Sequence, residues 1–161
     1  MNRVFHPLEP IVFEDSETLI LGSFPSLKSF EERSYYAHPK NQFWKILSEI
    51  YNAPHGANSE RILLLQKAKI ALWDVIASCE RTNSADSNLK KVQPNDIETL
   101  IKSHPNIKRI LFTGRTAQTL YQKYFTHISL PTALLPSPSP AYAQVKYEDK
   151  LLAWKQILTR E

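Results

Sequence analysis

Four segments of the sequence contain hydroxyl side chains, and three of them also contain proline or glycine. Each lies at the carboxyl end of a short apolar run, where the chain is expected to leave a buried strand. Hydroxyl groups on stiff turns can donate hydrogen bonds to phosphate or to a small polar ligand. The same residue types also form ordinary turns and helix caps, so composition alone leaves both interpretations open. The segments are 22–26 (GSFPS), 74–78 (DVIAS), 113–116 (TGRT) and 135–140 (LPSPSP).

Several other chemistries are missing from the sequence. It contains neither GxGxxG nor GxxxxGK[ST], which makes a dinucleotide or a nucleoside triphosphate a poor candidate ligand. The single cysteine, Cys79, excludes an internal disulfide and a four-cysteine cluster supplied by this chain. Four histidines have no spacing that suggests a metal site. They are His6, His55, His104 and His127. We therefore expect no metal and no organic cofactor.

The composition is that of a globular protein of one domain, spanning 1–161. Of its 161 residues, 42% are hydrophobic, and no apolar run approaches the roughly 18 residues that a membrane span needs. The formal net charge is +4, which is compatible with a nucleic-acid partner without requiring one. We expect a cytoplasmic monomer with no membrane partner.

Four apolar runs predict strands that are buried on both faces, because they do not alternate with polar residues. They lie at 18–22, 70–76, 109–113 and 132–135, and residues 11–13 are a possible edge strand. Segments whose apolar residues have helical spacing lie between these strands and after the last one, so the predicted fold class is α/β. The expected architecture is a three-layer α/β/α sandwich with a central, mainly parallel sheet of four to five strands. Residues 83–95 are the predicted long loop.

Apolar residues at helical spacing predict four helices. Asn95 is the predicted cap of the helix that begins near Ile97, with Glu98 three residues after the cap. Pro39 suits the first turn of the first helix, which would place Asn41 in that turn. The apolar stripes are Phe43, Ile46, Leu47 and Ile50; Ile97, Leu100 and Ile101; Ala117, Leu120, Tyr121 and Tyr124; and Leu151, Trp154 and Leu158.

Two stretches together resemble the uracil-DNA glycosylase superfamily. The run 35–45 (YYAHPKNQFWK) is similar to the branch that removes mismatched uracil or thymine. The stretch 71–81 (ALWDVIASCER) and the ending 135–141 (LPSPSPA) are closer to the branch that removes hypoxanthine, the deamination product of adenine. The resemblance covers residues 18–154 in the expected motif order.

Two departures separate this sequence from the uracil-removing members. Those carry Asp or Asn in the first motif to position water, where this sequence has Phe24. Their last motif often begins with His or Asn, where this sequence has Leu135. The resemblance to the hypoxanthine branch then implies that the working carboxamide is that of Asn41, with His38 as a second catalytic candidate.

The resemblance also implies a flipped base in a pocket. Tyr36 is the expected stacking platform, Phe24 the opposite wall, and Asp74 the group that accepts an N–H of the base. Gly22 and Ser23 of the first motif complete the expected substrate site. Tyr36 can also be read as an ordinary core or surface aromatic, and Asp74 as a cap of the following turn.

Contacts to DNA phosphates are expected from hydroxyl and basic side chains near the same turns. They are Ser26, Arg115, Ser137, Ser139 and Lys146. The implied partner is DNA with a damaged base. Three alternatives remain: a mismatch-specific uracil or thymine glycosylase, a non-catalytic module that binds DNA lesions, and a domain that binds a phosphorylated metabolite.

Overall fold

A computed structural model describes residues 3–81, 89–140, 142 and 144–159. Its centre is a sheet of four parallel strands in the order β3-β2-β6-β7. The four strands are β2 (Thr18–Gly22), β3 (Ile70–Asp74), β6 (Arg109–Thr113) and β7 (Thr132–Leu135). The predicted fold class is confirmed, and three of the four predicted strands have the predicted bounds.

A second sheet was not predicted. It has three antiparallel strands in the order β1-β4-β5. The strands are β1 (Arg3–Phe5), β4 (Ile76–Glu80) and β5 (Lys90–Pro94). The apolar run 70–76 was wrongly read as one strand, because Val75 separates β3 from β4. Strand β5 occupies part of the predicted loop 83–95, while residues 83–88 lie outside the described residues. Residues 11–13 contribute one isolated bridge, between Ile11 and Leu72, instead of an edge strand.

Six helices are described in this part of the chain. Four contain the predicted apolar stripes: α2 (Phe43–Tyr51), α4 (Ile97–Ser103), α5 (Arg115–Tyr124) and α6 (Tyr147–Leu158). Two more, α1 (Leu27–Glu32) and α3 (Asn58–Ala68), had no predicted counterpart. The cap of α4 is Asp96, whose carboxylate accepts the Thr99 N–H. The prediction of Asn95 is wrong, because its side chain donates to the main-chain carbonyls of Asp74 and Ile76 instead.

The two faces of the parallel sheet have separate apolar cores, as expected for three layers. Alternate residues of β2 point to opposite faces, so Ile20 packs with the helices α2, α3 and α6. Leu19 and Leu21 pack on the other face, against α4 and α5. All three side chains are fully buried. The sheet is thereby fixed from both sides, which makes its carboxyl edge a rigid support. No helix of the described residues is long and apolar enough to cross a membrane.

Candidate active site

A cavity of about 500 Å³ opens at the carboxyl edge of the parallel sheet. The last residues of all four strands line it: Gly22, Asp74, Thr113 and Leu135. In the sheet, β3 lies on one side of β2, and β6 and β7 lie on its other side. The direction in which the chain adds strands therefore reverses at β2, next to the cavity. Ligands of open α/β sheets bind at such a reversal. The volume lies within the range of small-molecule sites.

Three polar oxygen atoms converge on Gly22 at the cavity wall. A Cβ at this position would lie 2.5 Å from Asp74 Oδ1, 3.2 Å from the Tyr36 hydroxyl and 3.3 Å from Thr113 Oγ1. A real Cβ does not approach an oxygen to 2.5 Å, so any side chain would displace the Asp74 carboxylate. Glycine is therefore required here for space, and Gly22 is placed where the prediction put it.

Asp74 is buried and is paired with His6. Its Oδ2 lies 2.8 Å from His6 Nε2, and both side chains are at least 94% buried. The other carboxylate oxygen, Oδ1, faces Gly22 at the cavity wall. Sequence reasoning placed Asp74 near the substrate but missed His6. The two residues are 68 positions apart, and His6 carries no recognisable spacing.

Tyr36 lines the cavity and is held in an unusual backbone conformation. Its φ is 54°, in the left-handed region that residues other than glycine seldom adopt. Its ring stacks on Phe43, with centroids 3.9 Å apart and 10° between the planes. Its hydroxyl is 3.0 Å from Thr113 Oγ1. Burial is the main cause that raises the pKa of the Tyr36 phenol, and the nearby Asp74 charge is the second. The phenol therefore remains a neutral O–H.

Asn41 also lines the cavity, but it lies two residues before α2 and not in its first turn. Pro39 and Lys40 form a separate turn, so the predicted helix start was too early. Asn41 Oδ1 accepts the Phe43 N–H at 2.9 Å. This bond orients the carboxamide at the helix start. The NH2 group and the second lone pair of Oδ1 remain for a ligand.

His38 does not line the cavity. Its Nδ1 accepts the Lys40 N–H at 3.1 Å, and its main-chain carbonyl accepts the Asn41 N–H at 2.9 Å. Both bonds shape the turn that leads to Asn41. With Nδ1 acting as an acceptor, the neutral imidazole carries its proton on Nε2.

Phe24 forms an apolar part of the cavity wall, as the sequence suggested. It is buried, its ring stands edge-on to His6 at 5.8 Å, and it packs against Phe30. The Arg81 guanidinium lies 4.8 Å from the Phe24 ring centroid and donates to the Pro25 carbonyl. Aromatic and cation–π contacts therefore fix this first turn. Ser23 lies in the same turn and lines the cavity.

The predicted phosphate contacts divide into two groups. Ser26, Arg115, Ser137 and Ser139 line the cavity, whereas Lys146 lies outside the lining, at the start of α6. The hydroxyls have structural bonds as well: Ser26 caps α1 through the Ser29 N–H, and Ser137 Oγ accepts the Ser139 N–H. The hydroxyls of Ser26 and Ser137 therefore have the capping and turn roles expected of such residues, and their contact with phosphate stays a prediction.

The loop 136–140 is attached to the start of α2 and to α6. The Gln42 N–H donates to the Pro138 carbonyl at 3.0 Å, and Lys150 Nζ donates to Gln42 Oε1 at 3.0 Å. Trp154 Nε1 donates to the Pro136 carbonyl at 2.8 Å. Burial lowers the pKa of the Lys150 amine. These bonds join two walls of the cavity into one unit.

Fold and site together define an α/β protein with a cavity lined by polar and aromatic side chains at the carboxyl edge of its parallel sheet. No group of three or more metal-ligating side chains occurs within the described ranges. The sequence model of the Uracil DNA glycosylase superfamily matches residues 10–160, and the chain belongs to this family. The class of activity predicted from the sequence, hydrolysis of an N-glycosidic bond in DNA, is thereby confirmed.

Individual proteins are similar over most of the chain. The Hypoxanthine DNA glycosylase of Methanosarcina barkeri (strain Fusaro) is 34% identical over 134 residues, which are 82% of this chain and 84% of that protein. The Hypoxanthine DNA glycosylase of Methanosarcina acetivorans is 33% identical over 133 residues, 81% and 84% of the two chains. A solution NMR structure of a candidate uracil DNA glycosylase from M. acetivorans superposes with a TM-score of 0.82. It is 29% identical, and the match covers 94% of each chain.

Proposed function

We propose that the protein is a monofunctional DNA glycosylase that removes hypoxanthine from DNA and leaves an abasic site. The observation that carries the proposal is the meeting of Tyr36, Asn41 and Asp74 in one cavity. An aromatic ring, a carboxamide and a carboxylate are the groups needed to stack a flipped base, to position water and to accept a base N–H. Both named relatives carry the name hypoxanthine DNA glycosylase, which states the base they act on.

Binding begins when the damaged nucleotide leaves the DNA stack and enters the cavity. Tyr36, supported by Phe43, provides the stacking surface, and Phe24 provides an apolar wall. Asp74 Oδ1 accepts the N1–H of hypoxanthine. Ser26, Ser137, Ser139, Arg115 and Lys146 are the proposed phosphate contacts.

Hydrolysis breaks the bond between the sugar C1′ and N9 of the base, through a sugar with oxocarbenium character. Asn41 positions the water whose oxygen forms the new bond to C1′. One water proton is released, and the departing base takes up a proton on a basic ring nitrogen. A carboxamide is a poor general base, so positioning carries this step. His38 lies outside the cavity lining, so we assign it the shaping of the turn that leads to Asn41 and not a proton transfer to the base. The protein would act as a cytoplasmic monomer without a metal or organic cofactor.

Uracil is the second candidate base, because its N3–H would fit Asp74 Oδ1 equally well. Phe24 and Leu135 stand where uracil-removing members hold polar catalytic groups, which favours hypoxanthine. The test is to incubate labelled duplexes that contain deoxyinosine, uracil, xanthine or ethenoadenine, and then to cleave with alkali. We expect alkali-dependent breaks at deoxyinosine. Breaks only at uracil would support the alternative, and tight lesion binding without breaks would indicate a non-catalytic module.

A further inference from the structure

His6 stands behind the cavity wall and touches three residues that line it. Its ring centroid lies 5.8 Å from that of Phe24 and 6.1 Å from that of Tyr35. Its Nε2 lies 2.8 Å from Asp74 Oδ2. His6 itself is not part of the lining. It can therefore act on a bound base only through its neighbours.

The imidazole of His6 is fixed by the main chain on its other side. Leu8 offers its carbonyl oxygen 2.8 Å from His6 Nδ1 and its N–H 3.2 Å from the same atom. Nδ1 can donate to the first or accept from the second, so the ring is anchored whether or not Nδ1 carries a proton. The His6 N–H in turn donates to the Ala77 carbonyl. The ring position is thus set by the protein and does not depend on a ligand.

Asp74 is fixed by more than its side chain. Its main-chain carbonyl accepts from the Asn95 carboxamide at 2.9 Å, which holds the end of β3. A buried carboxylate needs hydrogen-bond partners, and His6 supplies one to Oδ2. A carboxylate oxygen accepts, so His6 Nε2 carries the shared proton. Oδ1 is left as an acceptor at the cavity wall.

We propose that His6 is a positioning residue that makes Asp74 Oδ1 a fixed acceptor, and that this selects deaminated bases over adenine. The inference rests on the proposed function. Hypoxanthine has N1–H where adenine has a lone pair on N1, so a fixed acceptor attracts the first base and repels the second. Sites built around a specific hydrogen bond reject analogues that cannot make it far more strongly than apolar pockets reject small changes in size.

The test measures discrimination in binding, separately from catalysis. Duplexes containing 2′-fluoroarabino-inosine or 2′-fluoroarabino-adenosine resist hydrolysis, and their Kd ratio reports base selection directly. We expect wild type to prefer the inosine duplex. His6→Phe keeps a ring but removes the donor, and should reduce the preference about tenfold or more, the effect of losing one hydrogen bond to a charged group. His6→Gln retains an N–H donor and should restore part of it.

Two further variants complete the comparison. Asp74→Asn should lose the same preference, and adding His6→Phe to it should change little, because both act on one group. His127→Phe removes an exposed histidine that also pairs with a carboxylate, Glu98, at 2.9 Å, and should leave the preference unchanged. If His6→Phe folds and keeps the wild-type Kd ratio, the inference is wrong.

A measurement on wild type does not depend on any variant folding. In a 15N–1H spectrum of the histidine rings, His6 Nε2 should carry a proton; an unprotonated Nε2 would overturn the inference. The proposed function is tested separately, by wild-type excision of hypoxanthine. Excision with an unaltered preference in His6→Phe would contradict only the role of His6, whereas absence of excision from every duplex would contradict the function itself.

Discussion

The rings of Tyr36 and Phe43 lie face to face, 3.9 Å between centroids. Phe43 is fully buried and does not line the cavity, whereas Tyr36 does, so Tyr36 is the outer ring of the pair. Its hydroxyl is tied to Thr113 at the end of the neighbouring strand. The position of the outer ring is therefore set before any base arrives, and little entropy is lost in ordering it on binding.

Replacing Tyr36 tests this platform. Tyr36→Ala should weaken binding of the 2′-fluoroarabino-inosine duplex by about 1–3 kcal/mol, the range for stacking of one base on an aromatic side chain. Tyr36→Phe keeps the ring and loses only the bond to Thr113, so its affinity should stay close to wild type. Fluorescence anisotropy titrations measure both. Equal losses in the two variants would count against stacking and in favour of the hydroxyl.

Asn41 combines a structural bond with the proposed catalytic role, and two substitutions separate them. Asn41→Ala removes the acceptor for the Phe43 N–H, with a cost in stability of about 1 kcal/mol, and should lower the excision rate about a hundredfold or more. Asn41→Asp keeps the acceptor and loses the NH2 group. Its melting temperature should stay near wild type, and because a carboxylate oxygen can still hold water, its single-turnover excision should exceed that of Asn41→Ala. Full activity in Asn41→Ala would remove this residue from the chemistry.

Gly22 should tolerate no side chain. Gly22→Ala places a Cβ 2.5 Å from Asp74 Oδ1, so we expect loss of excision and about 1–3 kcal/mol of destabilisation from overpacking. Gly56→Ala is the matched control, because its Cβ would meet only Glu60 Oε1, at an ordinary 3.5 Å. Excision assays and urea denaturation of both variants provide the comparison. Wild-type activity in Gly22→Ala would show that the carboxylate can move without consequence.

Arg109 should matter for stability and not for activity. Its guanidinium donates to the carbonyls of Ile157 and Leu158 at the end of α6, and to Thr18 Oγ1 at the start of β2. All three bonds lie at the edge of the sheet opposite the cavity. Arg109→Ala should lower the free energy of unfolding by about 1–3 kcal/mol in urea titrations. The excision rate of the folded variant should be unchanged.

The neighbouring Lys108 provides a control for the loss of charge. Its amine pairs with Glu17 at 3.2 Å on the exposed surface. Exposed ion pairs contribute little to stability, so Lys108→Ala should have a much smaller effect than Arg109→Ala. An equal effect would mean that net charge matters at this edge, and not the bonds to α6.

The parallel sheet was predictable because its strands are buried on both faces. Continuous apolar runs such as 18–22 and 109–113 mark such strands and end where the strands end. The antiparallel sheet gave no comparable signal. Strand β5 (Lys90–Pro94) has two lysines, a glutamine and a proline in five residues and is largely exposed. Its pairing with β4 is a tertiary contact that composition does not indicate.

The residues that line the cavity were predictable where they belong to a sequence motif or end an apolar strand, whereas His6 has neither feature. Tyr36 and Asn41 belong to one motif, and Asp74 ends an obvious strand. His6 reaches Asp74 only because β1 pairs with β4, in the sheet that sequence patterns missed. The start of α2 was also misplaced, because Pro39 is equally suited to a turn and to a first helical position. These roles of Tyr36, Asn41, Asp74 and His6 stay predictions until the variants are measured.

The bond from Gln42 to Pro138 has a consequence for protein engineering. The residue beside Asn41 is held by the proline-containing loop, and Lys150 of the last helix holds the same glutamine. A chimera that takes this loop from a relative would also have to take the residues before α2 and the matching turn of α6. Transplanting the loop alone would shift the Asn41 carboxamide. Exchange of substrate preference between family members should therefore succeed only when all three segments are replaced at once.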